Sequence, residues 1–154
     1  MSKMKSSSAL ALLILLNLSF VLGKSVRFRD CGNKELSPAQ VIITPCPAEP
    51  CQLKKGVNES VEVIFKPTEV VTSAKVVIHG IIEGVRFPFP FPHPNGCKEH
   101  GLECPLKPNK EYTFKATLPV KRTYQDIKLV VEWQLLDQNK SSIFCWKLPV
   151  QIVG

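Results

Sequence analysis

Long apolar runs are scarce in this chain of 154 residues. The sustained one, Ala9 to Leu16, falls well short of the ~20 apolar residues a membrane-crossing helix needs, and Asn17 and Ser19 interrupt the apolar residues beyond it. No segment shows the apolar spacing of an amphipathic helix, and there is no internal repeat or low-complexity tract. Helical bundles and solenoids are therefore excluded. The signatures of catalysis are missing too: no G-x-S-x-G elbow, no H-E-x-x-H and no glycine-rich phosphate loop. The three histidines, His79, His93 and His100, are isolated from one another. His79 reads as a satisfied residue of an apolar strand, His93 and His100 as solvent-facing. Asp126 and Glu132 fall on one polar strand face and read as solvated charges. Without C-x-x-C or paired histidine spacing, no metal site is expected. The sequence thus predicts neither an enzyme nor a cofactor.

What is present centres on Val85-Arg86-Phe87-Pro88-Phe89-Pro90-Phe91-Pro92-His93-Pro94. In an extended chain Phe87, Phe89 and Phe91 project to one face and the prolines to the other. Proline donates no N–H, so such a strand pairs on one side and belongs at a sheet edge. The aromatic stripe can fill a core or line a cavity. A polyproline II conformation, with its period of three, would scatter the rings.

Residues Met1 to Gly23 carry Lys3 and Lys5 ahead of the apolar run and small residues at Val21 and Gly23, the pattern of a secretory signal cut after Gly23. Lys24 to Gly154 is then one domain's worth of chain. It holds six cysteines, Cys31, Cys46, Cys51, Cys97, Cys104 and Cys145. Behind a secretory signal, an even count reads as disulfides, with about 15 connectivities open to six cysteines. Turn-rich intervals favour local loops between Cys46 and Cys51 and between Cys97 and Cys104, which leaves Cys31 for Cys145. Asn58-Glu59-Ser60 and Asn139-Lys140-Ser141 are glycosylation sequons. The net charge of +7 comes from scattered lysines, among them Lys54, Lys55, Lys107, Lys110, Lys115, Lys121 and Lys128. They are not interleaved with aromatics, so no nucleic-acid groove is expected. A solvated basic surface fits, and so does attraction to anionic membranes at ~1 kcal/mol per residue near the surface.

Alternation at a period of two recurs along the chain. It marks strands at Val26 to Phe28, Val41 to Ile43, Val61 to Phe65, Ala74 to Ile82, Tyr112 to Leu118, Ile127 to Leu135 and Phe144 to Ile152, besides the Phe-Pro edge. Seven to eight strands without helices predict an all-β, immunoglobulin-like antiparallel β-sandwich.

Several segments together resemble the Niemann-Pick type C2 group of the MD-2-related lipid-recognition (ML) family. They are Phe28-Arg29-Asp30-Cys31-Gly32, Pro45-Cys46-Pro47 through Gly56, His79-Gly80-Ile81-Ile82, the Phe-Pro run to Cys97, Leu118-Pro119-Val120-Lys121, Tyr124, Ile127 to Leu135, and Phe144 to Val153. The resemblance covers the chain from residue 24 onward. It implies an apolar pocket between the sheets that holds one unesterified cholesterol or related sterol, hydroxyl near the mouth and tail inside. It also implies the three pairs Cys31 with Cys145, Cys46 with Cys51 and Cys97 with Cys104. Carried onto this chain, the sterol-lining positions are Phe89, Val120 and Tyr124, with Leu118, Ile127, Trp133, Trp146, Val61 and Val63 around them. Phe87 and Phe91 stand where the family carries aliphatic residues, a departure expected to narrow the pocket. The resemblance further implies a monomer, secreted and resident in the lysosome lumen, that hands sterol to membranes or to the Niemann-Pick type C1 membrane protein. The turn His79 to Val85 and nearby lysines are expected to touch the membrane, with Glu83 opposing that contact. The alternatives are an ML protein that presents phospholipid or lipid A to an immune receptor, and an interaction domain with a filled core.

Overall fold

The computed structural model describes residues 23–33 and 36–154. Apart from Gly23, the expected signal lies outside the described residues. Ten strands occur in chain order: β1 (Lys24–Ser25), β2 (Arg29–Asp30), β3 (Gln40–Thr44), β4 (Cys51–Lys54), β5 (Asn58–Phe65), β6 (Lys75–Ile82), β7 (Val85–Phe89), β8 (Tyr112–Pro119), β9 (Lys128–Leu136) and β10 (Ser142–Val153). One sheet runs β1-β3-β5-β8 and the other β2-β10-β9-β6-β7, with β4 lying parallel along the end of β10. The other strand pairings are antiparallel. The result is the all-β immunoglobulin-like sandwich that the alternation predicts. Val26 to Phe28, expected as the first strand, is not itself strand but lies between the two-residue β1 and β2, and the four-residue β4, too short to show a period, is an addition.

Alternation decides which residues face the core. On β5, Glu59, Val61, Val63 and Phe65 are buried while Asn58 and Ser60 are exposed. Trp133 of β9 and Trp146 of β10 are cross-strand partners, and their rings stack at 5.6 Å with planes 12° apart. Phe114 of the facing sheet meets Trp133 edge-on at 6.2 Å, and Phe144 packs on Phe65 at 5.2 Å. Each such ring withdraws roughly 150–250 Å² from water, worth about 4–6 kcal/mol as an upper bound. One half of the sandwich is therefore solid.

The Phe-Pro segment is the outer edge of its sheet, as proline requires: β7 pairs with β6 alone. Its three rings do not form one inward stripe, however. Phe87 is 50% exposed. Phe89 turns toward the space between the sheets. Phe91 lies beyond the end of β7, packed between His100 at 5.7 Å and Trp133 at 5.6 Å. The strand ends before the third ring, and the first stays half exposed to solvent.

Two polar expectations also change. His100 is 3% exposed, stacked on Phe114 at 4.8 Å, with Nδ1 2.9 Å from the Lys115 carbonyl and Nε2 2.7 Å from the His93 carbonyl. It ties the segment after β7 to β8. Glu132 is 5% exposed on the outer face of the larger sheet, where it pairs with Arg86, with Lys147 at 3.5 Å and with His79 at 3.6 Å. A carboxylate flanked by the cations of Arg86 and Lys147, with the His79 ring beside it, tolerates burial that a lone one would not. His93 and Asp126 are exposed, as the sequence suggested, and pair with Glu99 and Lys55.

The disulfides are Cys31–Cys145, Cys46–Cys51 and Cys97–Cys104, with sequence separations of 114, 5 and 7. Chain-entropy arguments assign the long closure about 5 kcal/mol and each local one about 2. Replacing Cys31 and Cys145 with Ala is expected to cost about twice the stability lost on replacing Cys97 and Cys104. Urea unfolding of the two double variants measures this.

Candidate ligand site between the sheets

Away from the aromatic half, the facing side chains are aliphatic and the sheets enclose a cavity of about 280 Å³. The larger sheet contributes Ile78, Gly80 and Ile82 from β6, Phe89 from β7, and Leu129 and Val131 from β9. The opposite wall is Leu118 and Pro119 of β8, followed by Val120, Tyr124 and Ile127 of the β8–β9 connection. Gly80 contributes space, since a Cβ there would stand 3.2 Å from Leu129 Cδ1. At one rim Phe89 meets Tyr124 edge-on, centroids 6.3 Å apart. Partial burial pushes the Tyr124 phenol above its ordinary 10.0, so it is a neutral donor there. Gln125, exposed, adds a second polar group at the same rim.

The β6–β7 hairpin forms the other rim. Glu83 and Gly84 both take positive φ, 50° and 81°, the geometry of a tight two-residue turn that matches strand twist. Beside it Val85 and Phe87 are 54% and 50% exposed, an apolar edge open to solvent. Lys121 and Arg122, exposed, lie on the β8–β9 connection between the cavity-lining Val120 and Tyr124.

A second, smaller void of about 20 Å³ lies further in. Leu53, Leu118 and Val131 line both spaces. The inner one is bounded by Val61, Trp133, Trp146 and Glu59. Glu59 is 1% exposed, and neither carboxyl oxygen has a hydrogen-bond partner in the protein. The indole N–H groups of Trp133 and Trp146 are unpaired as well. Burial raises the Glu59 carboxyl from 4.5 to about 7.

Of the positions singled out in sequence, Phe89, Leu118, Val120, Tyr124 and Ile127 line the main cavity, and Val61, Trp133 and Trp146 bound the inner void. Val63 lines neither; it is fully buried in the packed core. Phe87 and Phe91 do not line the cavity: Phe87 is half exposed to solvent, and Phe91 packs on His100. Sequence reasoning missed Leu53, Ile78, Gly80, Ile82, Leu129, Val131 and Ile152. The β9 stripe already held Leu129 and Val131, in phase with Ile127. It also missed Glu59, whose signal was an acid in register with Val61, Val63 and Phe65.

A disulfide-bonded β-sandwich with an apolar pocket between its sheets defines a lipid-recognition class of fold, and the chain belongs to the ML domain family, which matches residues 25–152. It is 43% identical over 146 residues to NPC intracellular cholesterol transporter 2 of Mus musculus, covering 95% of this chain and 97% of that protein. The protein of the same name from Canis lupus familiaris is 46% identical over 132 residues, 86% of this chain and 88% of the relative. Among solved structures, a Niemann-Pick type C2 protein from Japanese carpenter ant is similar with a TM-score of 0.77 at 28% identity, over 83% of this chain and all of the other.

The raised Glu59 carboxyl makes stability depend on pH. A carboxyl whose folded value lies above its unfolded one stabilises fully below pH 4.5, and that contribution is lost as pH rises through about 7. The loss is of order 3 kcal/mol when complete, and about 2 between pH 5 and pH 8. Glu59→Gln is expected to flatten the fall in stability over that interval by this amount, read by urea unfolding at the two pH values. Equal falls in both proteins would mean that Glu59 titrates normally.

Proposed function

We propose that this chain is a sterol carrier, not an enzyme, which binds one molecule of cholesterol or a related unesterified sterol in the cavity between its sheets. The observation that carries the reading is the cavity itself. It is walled by aliphatic and aromatic carbon, with Tyr124 and Gln125 at the rim to meet a single hydroxyl. Its volume, about 280 Å³, stands near the lower limit for small-molecule pockets. A sterol buries a few hundred Å² of apolar surface, on the order of 10 kcal/mol of gross driving force. A bilayer offers a sterol a similar gain, so exchange between protein and membrane is close to neutral and the guest can leave again. The named relatives, both called intracellular cholesterol transporters, support the same reading.

On this reading residues 1–23 are a cleaved signal, Asn58 and Asn139 carry glycans, and the monomer works in the lysosome lumen and outside the cell. Both asparagines are exposed, which suits modification. Sterol passes to membranes or to the Niemann-Pick type C1 membrane protein through the hairpin rim. There Val85 and Phe87 offer apolar contact, and the exposed Lys121 and Arg122 of the β8–β9 connection that carries Tyr124 favour an anionic surface. Glu83 at the turn opposes that attraction.

Three measurements test this. Lipid extracted from the purified protein is expected to contain sterol at up to one per chain, and Gly80→Val, which fills the cavity, should weaken cholesterol binding about tenfold with little change in melting temperature. Unaltered affinity would place the sterol elsewhere. Val85→Asp combined with Phe87→Asp should slow sterol transfer to anionic liposomes about tenfold while equilibrium binding in solution persists; an unchanged rate removes the rim from the transfer path.

A further inference from the structure

The inner void poses a problem that a plain hydrocarbon guest does not solve. A fully buried carboxyl with both oxygens unpartnered costs stability, and the two tryptophans that bound the same void also have unpaired indole N–H groups. These groups stand at the inner end of the sandwich, past Leu53, Leu118 and Val131, which also line the main cavity. Those three side chains are the wall that the two spaces share. The void, about 20 Å³, is room for one hydroxyl group or one water.

We propose that Glu59 is a specificity-determining residue that selects a sterol carrying a hydroxyl at the end of its side chain, through a hydrogen bond at the inner end of the cavity. The inference rests on the sterol-carrier reading and adds to it the class of sterol preferred. With the ring hydroxyl held at the rim by Tyr124 and Gln125, the side chain is the part of the guest that travels inward. A tail hydroxyl buried among carbon would lose its water without recompense. Next to a neutral carboxyl it gains both a donor and an acceptor, and the carboxyl gains the partner the protein does not supply. The geometry is supported by the raised titration of Glu59, which leaves the group neutral in mildly acidic surroundings. A guest with a bare hydrocarbon tail leaves Glu59 as unsatisfied as before, so the preference is a difference between two ligands in one site.

The test compares equilibrium binding of cholesterol and of cholesterol hydroxylated at the terminal side-chain carbon, at pH 5.5, for the wild type, Glu59→Leu and Glu59→Gln. The ratio of the two affinities is expected to favour the hydroxylated sterol in the wild type. It should fall about tenfold in Glu59→Leu, and stay within about threefold in Glu59→Gln, whose amide still donates and accepts. A ratio unchanged in Glu59→Leu overturns the role of Glu59, as it would if a buried water satisfied the carboxyl. So does an equal fall in both variants, which would make side-chain shape the cause and not hydrogen bonding. If the wild type binds neither sterol, the sterol reading fails and this inference falls with it. Cholesterol binding with no dependence of the ratio on residue 59 leaves the carrier reading standing and removes the selectivity alone.

Discussion

The stacked pair Trp133 and Trp146, pressed edge-on by Phe114 from the facing sheet, sets how far apart the two layers stand. Indoles are the largest side chains a sandwich can bury, and the separation they impose holds for the whole of each sheet, since strands are stiff along their length. Where the aromatics continue, through Phe144 and Phe65, the gap is full. Where the facing residues are Ile78, Leu129, Val131 and Leu118, with no side chain at all on Gly80, the same gap cannot be bridged and a cavity remains. The disulfides tie distant or looping segments down: Cys31–Cys145 ties the segment after β2 to β10, its neighbour in the larger sheet, and Cys46–Cys51 ties the connection before β4 to its start.

Charge is distributed by the same logic. The outer face of the larger sheet carries a row running from Arg86 through His79 and Glu132 to Lys147, one residue from each of four neighbouring strands. Glu132 is buried there between Arg86 and Lys147, with His79 alongside. Glu59 is buried on the inner face and has no hydrogen-bond partner. Two glutamates of similar burial thus have different chemistry, because one was compensated and the other set against carbon and indole. That contrast makes the interior less uniform than an apolar slot and gives its inner end a direction.

Much of the fold was legible in the residues. A period of two over Val61 to Phe65, Tyr112 to Leu118 and Ile127 to Leu135 marked strands and their buried faces, and prolines at alternate positions marked β7 as an edge. Five of the cavity-lining positions came from segments that resemble the ML family. The rest did not come through, for reasons that differ by residue. Phe87 and Phe91 share a parity with Phe89, but parity says nothing of where a strand ends or of what the facing sheet covers. His100 sits in a polar disulfide loop and looked exposed; only the packing of that loop over Phe114 and Phe91 buries it. Glu132 lies on the face that alternation assigns to solvent, and its burial comes from long side chains on three other strands closing over it.

By itself the sequence determined what is local or periodic. That covers which segments extend, which face of each is apolar, where the edge lies, and which cysteines are near enough in chain to close small loops. These come from backbone geometry and need no knowledge of the partner strand. Tertiary structure alone decided how wide the gap between the sheets is, which half of it the aromatics fill, and that Glu59 faces a void with no partner while Glu132 finds three. Those outcomes depend on volumes and distances summed across strands far apart in the chain, and no window of residues contains that sum.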